Sequence, residues 1–195
     1  MTDYFALLEQ PQRPWLDLDR LKEIYHRKTL QEHPDVQTNR SDSEASEVNF
    51  ANLNEAYQVL RDPKRRLHHF LCLEGSEPIA TTQIIPPELY ELFSEIGPLA
   101  NAARTLLDEM QKTSTALSRA LLKPKLIELQ NQAKTIRDKI RVLSHESDAE
   151  LKRINQVWGD SPTEQIESLK NLYLIYAYLT RWSVQLDEII FQLSP

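Results

Sequence analysis

Glycine is scarce in this chain: 3 of its 195 residues, at positions 75, 97 and 159. All-β folds spend glycine on tight turns, so the scarcity argues for helices. A single cysteine, Cys72, rules out an internal disulfide and suits a reducing compartment. Positive charge is also in deficit, with 23 Lys and Arg against 29 Asp and Glu, a net charge of −6. Nucleic acid and anionic membrane surfaces both demand clustered positive charge, so neither is expected as the main partner. No apolar run is long enough to span a bilayer, and the opening "MTDYFALLEQ" is acidic where a targeting peptide is basic. A cytoplasmic protein is the expectation. The chain has no Walker loop, glycine-rich nucleotide loop, nucleophile elbow or HExxH, so no enzyme and no cofactor are expected.

What is present is helical periodicity punctuated by 11 prolines. A short helix in "DYFALLEQ" ends before Pro11 and Pro14. Asp17 is the expected N-cap of the next helix, which carries Leu18, Leu21, Ile24 and Tyr25 and stops at Pro34. "VQTNRSDSEASE" is polar and aperiodic, a loop or a frayed helix start. Phe50, Leu53, Tyr57 and Leu60 then recur at helical spacing up to Asp62 and Pro63, giving a helical hairpin with "HPD" at its tip. Leu67, Phe70, Leu71 and Leu73 mark one more helix, closed by Gly75 as a left-handed residue.

The stretch 76–87, "SEPIATTQIIPP", loses periodicity and is expected to link a domain over 1–75 to a helical bundle over 88–195. Within the bundle a helix over 88–96 is expected to break at Gly97 and Pro98, with a longer one running to about Ala120. "KPKLIELQ" starts another with Pro124 in its first turn, and Asp148 is a candidate cap for a short helix ending at Trp158 and Gly159. "SPTE" at 161–164 matches a capping box, with Ser161 as N-cap, Pro162 at the first position and Glu164 reaching back. The last helix shows an apolar stripe of Leu172, Ile175, Leu179, Trp182, Leu186, Ile189 and Leu193. Tyr173, Tyr176 and Tyr178 read as packing rather than a ligand cage, and the fold class is all-α. His68 and Cys72 stand one turn apart, but two ligands fall short of a tetrahedral zinc site, so no metal is expected.

The order of "DYFALLEQP", a helix carrying "YHRK", "HPD", and a helix ending "LNEAYQVLRDPKRR" resembles the J domain of the DnaJ family. That resemblance implies a module stimulating the ATPase of DnaK-type chaperones. His33, Pro34 and Asp35 would form the stimulating loop, and Lys22, His26 and Arg27 a basic face meeting an acidic chaperone surface. The chemistry is compatible with that role: Pro34 ends the helix, the Asp35 carboxylate can take a bidentate arginine, and the His33 imidazole can donate or accept. The bland alternative is that His33 and Asp35 cap helix ends.

A Gly/Phe-rich segment and CxxCxGxG repeats are both missing, which excludes the two fuller DnaJ classes. "LNEAYQVLRDPKRRLHHFLCLEG", the length and the helical tail are similar to the HscB family of iron-sulfur cluster assembly. This resemblance implies recruitment of the DnaK relative HscA and a tail that binds the scaffold IscU. In "PPELYELFSEI" it points to Leu89, Tyr90 and Phe93 as an exposed client patch, with Leu92 and Ile96 facing the bundle; the alternative is that all five are core. A rival expectation is a helical tail that tethers the J domain to an unrelated assembly.

Overall fold

The computed structural model describes residues 2–32, 43–76, 85–159 and 162–194. Among these the protein is all-α: seven α-helices and one short 3-10 turn, without a strand. The helices are α1 (Tyr4–Leu7), α2 (Leu18–Glu32), α3 (Ser43–Arg61), α4 (Pro63–Leu73), α5 (Tyr90–Lys112), α6 (Ala116–Gln156) and α7 (Pro162–Gln192). No helix among the described residues is long and apolar enough to cross a membrane.

The chain divides into two compact units, residues 1–79 with 150–173 and residues 80–149 with 174–195. The linker expected at 76–87 falls mostly on residues 77–84, outside the described residues.

Aspartates start three helices of the first unit. Asp3 Oδ1 accepts the N–H groups of Phe5 and Ala6, Asp17 Oδ1 those of Asp19 and Arg20, and Asp62 Oδ1 that of Arg65 at 2.7 Å. Each satisfies amides that the first helical turn leaves unpaired. Packing follows the apolar spacing: Leu21 and Ile24 of α2, Leu53, Ala56 and Leu60 of α3, and Leu67, Phe70 and Leu71 of α4 are buried with Phe5 and Leu8. Tyr25 stacks on Tyr57 at 4.2 Å and bonds Asn54, pinning α2 to α3. Arg66 is buried and donates to the carbonyls of Leu60 at 2.7 Å and Pro14 at 3.0 Å.

The segment 150–173 belongs to this unit through specific contacts. Trp158 meets Phe70 edge to face at 5.0 Å, Lys152 lies 5.2 Å from the Trp15 ring centre, and Arg13 donates to the Asn155 carbonyl. Gln165, itself buried, ties the α6–α7 turn by donating to the Val157 carbonyl and accepting the Gly159 N–H.

The second unit corrects three expectations about helix ends. α5 runs through Gly97 and Pro98 without a break and stops at Lys112, short of Ala120. Pro124 lies inside α6 rather than in its first turn, and Asp148 is also interior because α6 continues to Gln156. The physical reason is packing: Leu92, Ile96, Leu99, Ala103 and Leu106 bury one continuous stripe of α5, while Pro98 and Pro124 lie on exposed positions. In α6 the buried residues Leu126, Leu129, Ala133, Ile136 and Ile140 form the matching stripe, and each stripe outweighs the one hydrogen bond its proline removes. The expected stripe of α7 is buried from Leu172 to Leu193. Ser161 of the expected capping box lies outside the described residues, and Pro162 begins α7.

Candidate functional site

His33, Pro34 and Asp35 lie outside the described residues, and α2 is the helix that precedes them in the chain. Lys22 and His26 are exposed one turn apart on α2, so their side chains share a face. Arg27 is equally exposed but engaged: its guanidinium holds Glu9 Oε2 at 2.5 Å, while Lys28 Nζ holds Glu9 Oε1 at 2.8 Å. The hydrogen bond from Lys28 is the main reason that the Glu9 carboxyl is held below its usual range, with the charges of Lys28 and Arg27 acting in the same sense.

Glu9 reaches these cations from an uncommon backbone conformation. Its N–H bonds the Ala6 carbonyl at 3.1 Å, the Gln10 N–H bonds the Phe5 carbonyl at 2.8 Å, and its φ is +50°. This is the Schellman ending of a helix, with Glu9 in the left-handed position that usually takes glycine. α4 ends the same way with Gly75 in that position at φ +70°, its N–H on the Cys72 carbonyl and the Ser76 N–H on the Leu71 carbonyl. Gly75 was legible in the sequence; no sequence signal marks Glu9 as left-handed.

In the second unit the expected client patch is divided. Leu89 ends a 3-10 turn over Pro87–Leu89 and is fully buried, which corrects its placement in an exposed patch. The buried stripe of α5 starts at Leu89 and continues through Leu92 and Ile96, so residue 89 joins the core face rather than the Tyr90 face. Tyr90 and Phe93 are 58% and 55% exposed, and the Phe93 ring lies 6.5 Å from that of Trp182. Lys139 bridges Glu91 and Glu95 at 3.2 and 2.6 Å, clipping α6 to the same end of α5. An open groove of about 620 Å³ between α5 and α6 is lined by Glu95, Pro98, Leu99, Glu128 and Ile136 among others.

His68 Nδ1 and Cys72 Sγ are 3.8 Å apart, and among the described residues no group of three or more His, Cys, Asp or Glu is placed to hold a metal ion.

A capped short helix docked on a helix pair, followed by a second capped helix, is the arrangement of a J domain, and residues 3–69 match the family model of the DnaJ domain. The chain therefore carries a J domain, as its sequence motifs lead one to expect. Part of the chain is also similar in sequence to HscB. It is 39% identical over 75 residues to the co-chaperone protein HscB of Proteus mirabilis (strain HI4320), a match covering 37% of this chain and 43% of that protein. The match thus spans less than half of the relative's length. The fold extends further. The crystal structure of the human co-chaperone protein HscB superposes with a TM-score of 0.65 at 17% identity, over 96% of this chain and 82% of that one. Chaperone HscB from Vibrio cholerae gives 0.64 at 17% identity, over 99% and 100%.

Proposed function

We propose that the protein is an HscB-like co-chaperone without catalytic activity of its own. Its J domain stimulates the ATPase of a DnaK- or HscA-type chaperone through His33, Pro34 and Asp35, with Lys22, His26 and Arg27 of α2 contributing to the docking face. The observation that carries this reading is the DnaJ-domain match over residues 3–69, which contains the "HPD" triplet between α2 and α3. The HscB likeness in fold along the remaining chain supports a client role for the second unit, with an IscU-like iron-sulfur scaffold as the client. Tyr90 and Phe93, exposed and adjacent on α5, are the residues we assign to client contact.

Single-turnover ATP hydrolysis by a DnaK-type chaperone tests the first half. Wild-type protein is expected to accelerate it and His33→Gln to lose the acceleration at unchanged helical content. Equal acceleration by the two proteins refutes the assignment. Calorimetric titration with an IscU-like scaffold tests the second half, where Tyr90→Ala with Phe93→Ala is expected to remove binding while leaving chaperone stimulation intact.

A further inference from the structure

Glu9 is the one non-glycine residue with positive φ among the described residues. A side chain in the left-handed region crowds its own carbonyl, and the same turn at the end of α4 avoids this with glycine. A glutamate in that position directs a carboxylate onto two cations of the next helix, Arg27 and Lys28. α1 is in turn fixed: Phe5 and Leu8 are buried, and His69 of α4 accepts the Tyr4 N–H. Gln10, also buried, donates to the Leu8 carbonyl at 3.0 Å and holds the chain just beyond Glu9. The carboxylate is therefore presented from a rigid turn rather than from a mobile surface arm.

We infer that Glu9 is an affinity-setting residue: an internal carboxylate that occupies Arg27 and Lys28 and competes with an acidic partner surface for the basic face of α2. The inference rests on the reading of that face as a chaperone-docking surface. Lys22 and His26, exposed and engaged with no carboxylate among the described residues, meet the partner first, and Arg27 becomes available only by exchanging one carboxylate for another. Such an exchange replaces an ion pair by an ion pair, so the second cation adds little affinity while the first pair remains. Both sides of the Arg27–Glu9 contact are about half exposed, with side-chain exposures of 55% and 52%, so the clamp is weak enough to be opened by a partner.

The test is equilibrium binding of the full chain to an ATP-bound DnaK-type chaperone, by fluorescence anisotropy, at about 50 mM and about 300 mM salt. Glu9→Gly removes the carboxylate and suits the left-handed backbone, so α1 stays closed and far-ultraviolet circular dichroism stays unchanged. It is expected to bind about two- to fivefold tighter than wild type at low salt, with the gain fading at high salt. Glu9→Gln, which keeps the side-chain length without the charge, is expected to show a similar gain. In an Arg27→Gln, Lys28→Gln background the Glu9 substitutions are expected to have no effect. If Lys22→Glu with Arg27→Glu weakens binding but neither Glu9 variant tightens it, the masking role is overturned while the docking face stands. If the charge reversal has no effect on binding, the docking face itself falls and the inference with it.

Discussion

His69 on α4 accepts the backbone N–H of Tyr4 at 3.1 Å across 65 positions of sequence, joining the start of α1 to α4. Accepting through Nε2 places the ring proton on Nδ1, which is buried without a partner, and the ring stacks on Tyr4 and Phe5. A second proton would abolish the acceptor and place a cation in the core. Burial is the chief cause that lowers the affinity of His69 for a proton, with His68 adding to it and Asp3 opposing it. The unfolded chain, whose histidine titrates near 6.5, then binds a proton that the folded chain refuses. The His69 contribution is therefore complete above about pH 6.5 and is lost as pH falls below it. Urea unfolding at pH 7.5 and 5.5 checks this. His69→Phe keeps the stacking and removes the titrating acceptor, leaving the Tyr4 amide unpaired. It is expected to cost about 1–3 kcal/mol at pH 7.5 and to show a smaller acid loss than wild type. An identical acid loss in the two proteins would count against the linkage.

Gly97 lies inside α5 on an exposed position, and a Cβ built there meets nothing within 4 Å. Its φ is not in the left-handed region, so alanine fits the helix as it stands. Gly97→Ala is expected to stabilise the protein by about 0.5–1 kcal/mol, because glycine loses the most backbone freedom on folding. A rise in the urea midpoint at constant slope is the result that agrees; a fall would show that the helix does not pass straight through this point.

Leu89 at the end of the 3-10 turn and Phe93 in the first turn of α5 make opposite predictions. Leu89→Ala removes a fully buried side chain and is expected to destabilise by about 2–5 kcal/mol. Tyr90→Ala combined with Phe93→Ala removes two side chains that are more than half exposed, and thermal stability is expected to fall by much less than for Leu89→Ala. Comparable melting losses in the two cases would mean that Tyr90 and Phe93 serve the core, and the client assignment would lose its basis.

The helix start at Asp17 was legible because side-chain capping acts over three residues, within the reach of local sequence, whereas Asp62 with Pro63 was read only as the stop of α3 although Asp62 also caps α4. Gly75 was legible for the same reason, since a glycine after an apolar run signals a left-handed close. Pro98 misled because its local cost is visible in sequence while the stripe that overrides it, Leu92 to Leu106, is a tertiary property. Leu89 misled for a related reason: a 3-10 turn before the helix sets which face residue 89 takes. The Glu9 clamp was invisible because it needs both an unusual φ and the approach of the turn after α1 to α2, neither of which a glutamate near a proline announces.

Trp158 supplies the last prediction. It lies in the α6–α7 turn, more than 80 positions after Phe70, yet packs edge to face against that ring at 5.0 Å. Phe70 is fully buried in α4, so the contact covers the centre of the first unit rather than its margin. Aromatic pairs in this geometry contribute beyond the area they bury, and truncating the indole exposes one side of the Phe70 ring to water. Trp158→Ala is therefore expected to lower the stability of α4 by roughly 1–3 kcal/mol, since the indole is only half buried. The measurement is native-state hydrogen exchange, which reports each helix separately. Amides of α4 around Phe70 are expected to lose protection, while those of α5 around Ala103 in the second unit keep theirs. Unchanged protection in α4 would show that residues 150–173 lean on the J domain without stabilising it.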